Sequence, residues 1–312
     1  MSLSHAWLFP GQGAQYVGMA ADLVAAHPRV AQFYEDVEQR TGLPLRRLSA
    51  EGPAEELRKT AITQPAIYAH SLALALLLQE RGFRPAAVAG HSLGEYSALA
   101  ASGWLDPVDG AELVATRGAL MYQAGLDSPG TMAAVIGMDD AVIEEVCSRA
   151  SQETGVVQMA NFNSPGQVVI SGTDAGVDHA LALLKEAGGR LLKKLVVSGA
   201  FHSPLMESAR QGLLEKLAST TIRQGEAPVY CNVTGARADT PEEVRDLLAR
   251  QLTEPVRWTQ AMQSLVADGH SRALEIGPGK VLAGLMKRIT DECPVRSLDK
   301  AADLESFLEE NA

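Results

Sequence analysis

The pentapeptide Gly90-His91-Ser92-Leu93-Gly94 places one hydroxyl between two glycines. An apolar run at residues 84–89 leads into it and a small-residue run at 93–101 leads away, the pattern of a strand, a tight turn and a helix. Glycines on both flanks allow the sharp turn and the close approach of other chain segments that an exposed nucleophile requires. Ser92 would then stand beside the positive end of a helix dipole and its unpaired N–H groups. Gly-x-Ser-x-Gly also arises by chance in a chain of 312 residues. The flanking strand and helix favour the nucleophile.

A serine hydroxyl is a weak nucleophile until a neighbour takes its proton, and histidine is the usual acceptor. The chain has seven histidines. His70 and His179 lie in helical patterns, His27 precedes Pro28 at a helix end, and His5 lies near the chain start. Structural or surface roles suit these four. His91 adjoins Ser92, but neighbours on a tight turn point apart, so it is expected to pack. His270 precedes a strand and belongs at the opposite sheet edge. His202 follows a strand, in a loop bounded by Gly199 and Pro204, at the edge where Ser92 should lie. It is the expected base. No Asp or Glu is marked as its third partner; a backbone carbonyl would orient the ring equally well.

Pro10-Gly11-Gln12-Gly13 follows the first strand and should reach the same edge. Gly11 and Gly13 match the start of a dinucleotide loop, but Tyr16 occupies the third glycine position. The better use is to bring a main-chain N–H, that of Gln12, towards a reacting carbonyl, with the N–H of Leu93 as second donor. Losing one such donor costs about 10²–10³ in rate. Arg117 interrupts an otherwise apolar helix at 111–122. It either reaches the surface along that helix or faces the cleft, where its planar fork suits a carboxylate.

These residues need a scaffold that carries several strand ends to one edge. Strands at 6–9, 84–89, 229–233 and 273–276 alternate with helical patterns at 17–26, 31–42, 65–81, 107–124 and 281–289. Pro65 is expected in a first helical turn, where its missing N–H costs nothing. That alternation predicts a parallel α/β sheet with its site beyond the carboxyl ends of the strands. Between Pro129 and Val197 the texture changes to strand, helix, strand, strand, helix, strand. The order βαββαβ is that of the ferredoxin-like split unit. The expected organisation is a large unit of residues 1–127 and 198–312, interrupted by a small unit of residues 128–197. An acidic terminal helix is expected at 299–312.

A net charge of −11 argues against nucleic acid and against anionic membrane surfaces. The longest apolar stretch, residues 71–78, is too short to span a bilayer. Cys147, Cys231 and Cys293 are odd in number and far apart, which suits reduced cytoplasmic thiols better than disulfides or a zinc site.

Gly11-Gln12-Gly13, Gly90-His91-Ser92-Leu93-Gly94-Glu95, Arg117, Asn161-Phe162-Asn163-Ser164-Pro165-Gly166-Gln167 and Ala200-Phe201-His202-Ser203 occur together, in this order. In these motifs and their spacing the chain resembles malonyl-CoA:acyl carrier protein transacylases over nearly its whole length. The resemblance implies an α/β-hydrolase-like parallel-sheet core interrupted by a ferredoxin-like subdomain. It makes Ser92 the acylated nucleophile and His202 its base, with the main-chain carbonyl of Gln251 orienting the ring. It places the N–H groups of Gln12 and Leu93 in the oxyanion hole and Arg117 on the malonyl carboxylate. Gln64 and Asn161 match positions near the family's cleft, and Phe201 implies an acyl pocket too tight for a methylmalonyl branch.

The implied reaction is ping-pong malonyl transfer from malonyl-CoA to the phosphopantetheine thiol of an acyl carrier protein, with no bound cofactor or metal. A cytoplasmic monomer is expected, serving fatty-acid synthesis. A malonyltransferase acting in trans for a polyketide pathway, a serine thioesterase or esterase, and a silent carrier-docking module are the alternatives. Because carrier proteins are acidic, docking needs local basic surface, and Arg190, Lys193, Lys194 or Lys280, Lys287, Arg288 could supply it.

Overall fold

Ala6-Trp7-Leu8-Phe9 offers no polar side chain for a solvated face, so the strand it forms needs cover on both sides. The computed structural model describes residues 5–311 and supplies that cover. Residues 1–4 and 312, which the expected unit limits and terminal helix included, lie outside the described residues. The first five strands are β1 (His5–Phe9), β2 (Pro85–Gly90), β3 (Thr131–Ile136), β4 (Val157–Ser164) and β5 (Gln167–Gly172). The rest are β6 (Leu191–Lys194), β7 (Val229–Tyr230), β8 (Arg237–Ala238), β9 (Ala273–Ile276) and β10 (Val295–Leu298).

The larger sheet has the order β10-β9-β1-β2-β7-β8, parallel except for β8 at its edge. Side chains alternate across it. Trp7 and Phe9 join the buried cluster that holds helices Thr60–Glu80 and Pro107–Asp127, while Ala6 and Leu8 face helices Trp258–Ala267 and Val281–Ile289. Parallel pairing sets Phe9 opposite Gly90, and the N–H of His91 donates to the Phe9 carbonyl at 3.0 Å. The loops after β1 and β2 therefore emerge side by side at one edge, as expected.

The smaller sheet, β4-β5-β3-β6, is antiparallel throughout, and its chain order is strand, helix, strand, strand, helix, strand. Helices Asp140–Glu153 and Asp174–Glu186 cover one face. Met132, Ala160 and Val169 belong instead to the large core. Backbone hydrogen bonds tie β4 to the segment around Val256: Phe162 N–H to the Val256 carbonyl at 2.9 Å, and Val256 N–H to the Ala160 carbonyl at 2.8 Å.

Several local expectations are corrected. The helix expected at 17–26 is only Ala21–Ala26, because Gly18 and Ala20 take left-handed backbone with φ of 102° and 67°. The helix expected from 65 begins at Thr60, so Pro65 sits inside it rather than in its first turn. By length and composition Thr60–Glu80 could cross a membrane, although no uninterrupted apolar run suggested it; 83% of its apolar window is buried within the fold. The strand expected at 229–233 ends at Tyr230, after which the Cys231 N–H turns back to Ala236. The strand expected at 190–197 ends at Lys194. Helices Leu45–Glu51, Glu207–Ser219, Pro241–Arg250 and Trp258–Ala267 and strand β10 were not anticipated.

Candidate active site

Only glycine fits on either side of the serine turn. A Cβ on Gly90 would lie 1.9 Å from the Gly94 carbonyl carbon, and one on Gly94 would lie 2.0 Å from the Phe9 carbonyl oxygen. Ser92 between them has φ of 51° and is partly exposed, and helix Gly94–Ala101 leaves the turn. A left-handed serine costs about 1–2 kcal/mol, so surrounding contacts must hold it.

His202, 110 residues away in sequence, places Nε2 2.9 Å from Ser92 Oγ. Its Nδ1 lies 2.7 Å from the Gln251 carbonyl oxygen. A carbonyl only accepts, so Nδ1 carries the hydrogen and Nε2 keeps a lone pair for the serine proton. Burial, reinforced by the charge of Arg117, pushes the imidazole pKa down to about 3, so the ring rests neutral. The His202 backbone is also left-handed, with φ of 56°.

Arg117 does not reach the surface; it is fully buried. Nη1 donates to Gln64 Oε1 at 2.6 Å, and Nη2 donates to Ser92 Oγ at 3.1 Å and Gln251 Oε1 at 2.9 Å. Its guanidinium stands 5.2 Å from the centre of the Tyr96 ring. Among the described residues no carboxylate is bonded to it, and its Nε has no partner. Burial lowers its pKa. A buried cation held by neutral groups is a place for an anion.

Gln12, Ser92, Leu93 and His202 line a cavity of 290 Å³, and Gln64, Asn161 and Phe201 line it as well. Gln12 directs its side chain to Thr60 Oγ1 at 3.1 Å. No acceptor among the described residues takes the backbone N–H of Gln12 or Leu93. Arg117 and Gln251 stand behind this wall and touch it through Ser92 and Gln64. Each residue that the resemblance assigns to the nucleophile, base, oxyanion hole, carboxylate site or acyl pocket thus lies on the cavity or one hydrogen bond behind it.

The other histidines pack away from the serine oxygen. His91 Nε2 meets Asn163 Oδ1 at 2.8 Å, His70 bonds to Asp299, His179 pairs with Glu153, and His270 lies edge-on to Tyr230. Sequence reasoning missed Asn232 and gave no role to Glu95. Asn232 Oδ1 accepts the Ser92 N–H at 2.6 Å. Glu95 is almost wholly buried, and burial pushes its pKa up to about 7 against donation from the Asn232 N–H and the Gln251 amide. An acid in a helix of otherwise small and apolar residues was the available signal for Glu95. Asn232 had none, since it reads as one polar residue within the strand expected at 229–233. No cluster of His, Cys, Asp and Glu among the described residues is arranged to hold a metal ion.

The family model for the acyl transferase domain matches residues 6–305. This chain belongs to the acyl transferase domain family. The acyl transferase is 43% identical over 305 residues to the malonyl CoA-acyl carrier protein transacylase of Escherichia coli, covering 97% of this chain and 98% of that one. A crystal structure of a malonyl-CoA:acyl carrier protein transacylase from Xanthomonas oryzae pv. oryzae superposes with a TM-score of 0.95 at 45% identity, covering all of both chains. A second similar structure holds a malonyl-transacylase in complex with a type II PKS acyl-carrier protein (TM-score 0.94, 40% identity, covering 99% of this acyl transferase and 100% of that chain).

Proposed function

We propose that this acyl transferase moves a malonyl group from malonyl-CoA to the phosphopantetheine thiol of an acyl carrier protein through a malonyl-Ser92 intermediate, supplying extender units for fatty-acid synthesis. One observation carries the mechanism: Ser92 Oγ sits between a neutral His202 Nε2 and a buried Arg117 whose hydrogen bonds go to neutral groups.

Ser92 Oγ attacks the thioester carbonyl of malonyl-CoA and gives its proton to His202. The tetrahedral oxyanion accepts from the N–H groups of Gln12 and Leu93. Collapse expels the CoA sulfur, which takes the proton from His202. In the second half, the carrier's thiol gives its proton to His202 and attacks the malonyl-serine carbonyl; the serine oxygen leaves and recovers that proton. Arg117 meets the malonyl carboxylate, and Gln64 keeps it within reach. Phe201 and Asn161 bound the acyl pocket, Phe201 narrowing it against an α-branch. No cofactor enters any step.

The reading includes an α/β-hydrolase-like core of residues 1–127 and 198–312 with a ferredoxin-like insert of residues 128–197. The strand order of the small sheet, β4-β5-β3-β6, supports the insert. It also includes a cytoplasmic monomer, and three buried free cysteines fit a reducing compartment. Of the two basic patches, the reading takes Lys280, Lys287 and Arg288 for carrier docking; its support is that Arg288 bonds to Gln167 at 2.8 Å and Gln167 lines the cavity. The rival patch is partly neutralised, since Lys194 pairs with Asp178. Similarity to the transacylase bound to a type II PKS carrier keeps a polyketide carrier as the second reading. A hydrolase is disfavoured by the partner of His202 Nδ1, a carbonyl rather than a carboxylate.

Intact-mass analysis after incubation with malonyl-, methylmalonyl- or acetyl-CoA tests the proposal, with Ser92→Ala as control. A malonyl adduct confined to the parent protein is expected. Free malonate formed in place of malonyl-carrier would make the protein a hydrolase.

A further inference from the structure

The Ser92 N–H and the Gly90 carbonyl of the left-handed turn are both held by one side chain. Asn232 is fully buried; its Oδ1 accepts the Ser92 N–H at 2.6 Å and its Nδ2 donates to the Gly90 carbonyl at 2.7 Å. A carboxamide presents one acceptor and one donor at fixed spacing, so it can grip a turn from both ends. Asn232 is itself held, because its N–H donates to Glu95 Oε2 at 2.9 Å. The same Glu95 oxygen accepts from Gln251 Nε2 at 2.9 Å. Gln251 also donates to the Ser92 carbonyl at 3.1 Å, while its own carbonyl holds His202 and its Oε1 holds Arg117. Serine, histidine and arginine are thus oriented by one buried network in which Gln251 touches all three and Glu95 anchors both Gln251 and Asn232. Burying an acid side chain there is costlier than burying an apolar residue of similar volume, so packing alone does not account for it.

We propose that Asn232 and Glu95 are positioning residues for the nucleophile, Asn232 clamping the serine turn and Glu95 locking that clamp to Gln251. The inference rests on Ser92 being the acylated residue.

Two nearly isosteric variants of the full chain test it. Asn232→Asp keeps the acceptor for Ser92 but loses the donor to Gly90. Glu95→Gln turns one acceptor of the network into a donor at nearly the same volume and adds no buried acid, so it serves where Asn232→Asp does not fold. Stopped-flow release of CoA from malonyl-CoA gives the acylation rate constant and the half-saturating concentration. End-point intact mass gives the fraction of molecules that can be acylated.

A misplacement of about 1 Å costs roughly 10²-fold. Expected are rate constants per acylated molecule about 10–10² below the parent, with half-saturation within about twofold, since the substrate contacts are intact. A residue that only supports the fold would lower the acylated fraction and the melting temperature while leaving that rate constant at the parent value. That result would overturn the proposal. Absence of any adduct on Ser92 in the parent would instead overturn the reading beneath it.

Discussion

Arg117 donates hydrogen bonds to two glutamines and a serine while carrying a full charge out of water. Breaking a buried ion pair costs about 3–5 kcal/mol, so a neutral acyl group gains nothing from this site that a malonyl carboxylate would. Arg117→Ala should lower kcat/KM for malonyl transfer by roughly 10²–10³ and spare or raise acetyl transfer. Equal losses for both donors, measured by release of CoA, would remove Arg117 from recognition. His202 makes a second prediction. Its folded-state pKa, about 3, lies below the ordinary histidine value, so the unfolded chain binds a proton that the folded chain refuses. Stability from this residue is complete above about pH 6.5 and is lost as pH falls towards the folded value. Acylation by the free enzyme should therefore show no protonation step of this ring near pH 6.5 on its acid limb, in a pH profile of kcat/KM. Glu95, whose pKa burial raises to about 7, can give a step in this range, and that step should vanish in Glu95→Gln; a step that survives the substitution would mean that the ring is not the neutral base described.

The elements around the site carry a steric prediction. Gly94→Ala pushes a methyl against the Phe9 carbonyl, and neither the turn nor β1 has room to yield. A loss of about 3 kcal/mol or more is expected from the denaturant midpoint, with no gain from the better helix former. This turn was legible in the sequence because its requirement is chemical: glycine, serine and glycine at fixed spacing between an apolar strand and a helix. The order of the smaller unit was legible for a related reason, since its strands and helices alternate sharply between Pro-Gly turns. Helix Trp258–Ala267 was not, since its apolar face shows only against a sheet assembled from distant segments. Pro65 misled the reading of its helix, because a first-turn proline is the common case and this one lies inside. Gln251 came only from family likeness: any residue can offer a backbone carbonyl, so no side-chain signal marks it. Asn232 escaped because its contacts with Gly90 and Ser92 cross some 140 residues.

The whole molecule carries a net charge of −11 and is proposed to bind an acidic partner, so attraction must be local. Screening shortens from about 10 Å at 0.1 M salt to about 3 Å at 1 M. Across that range, transfer to carrier protein should fall several-fold while transfer to a small thiol changes little. Parallel responses would dispose of the basic docking surface. The two residues proposed to pass the proton, Ser92 and His202, both stand on left-handed backbone, and they come from segments far apart in the chain. Each imposes a conformational tax of about 1–2 kcal/mol that glycine escapes. Ser92→Gly should consequently yield a protein that melts later than its parent and does nothing. On this view the native chain has traded robustness for reactivity at both ends of its proton path, and breeding it for heat tolerance alone would select against its own chemistry.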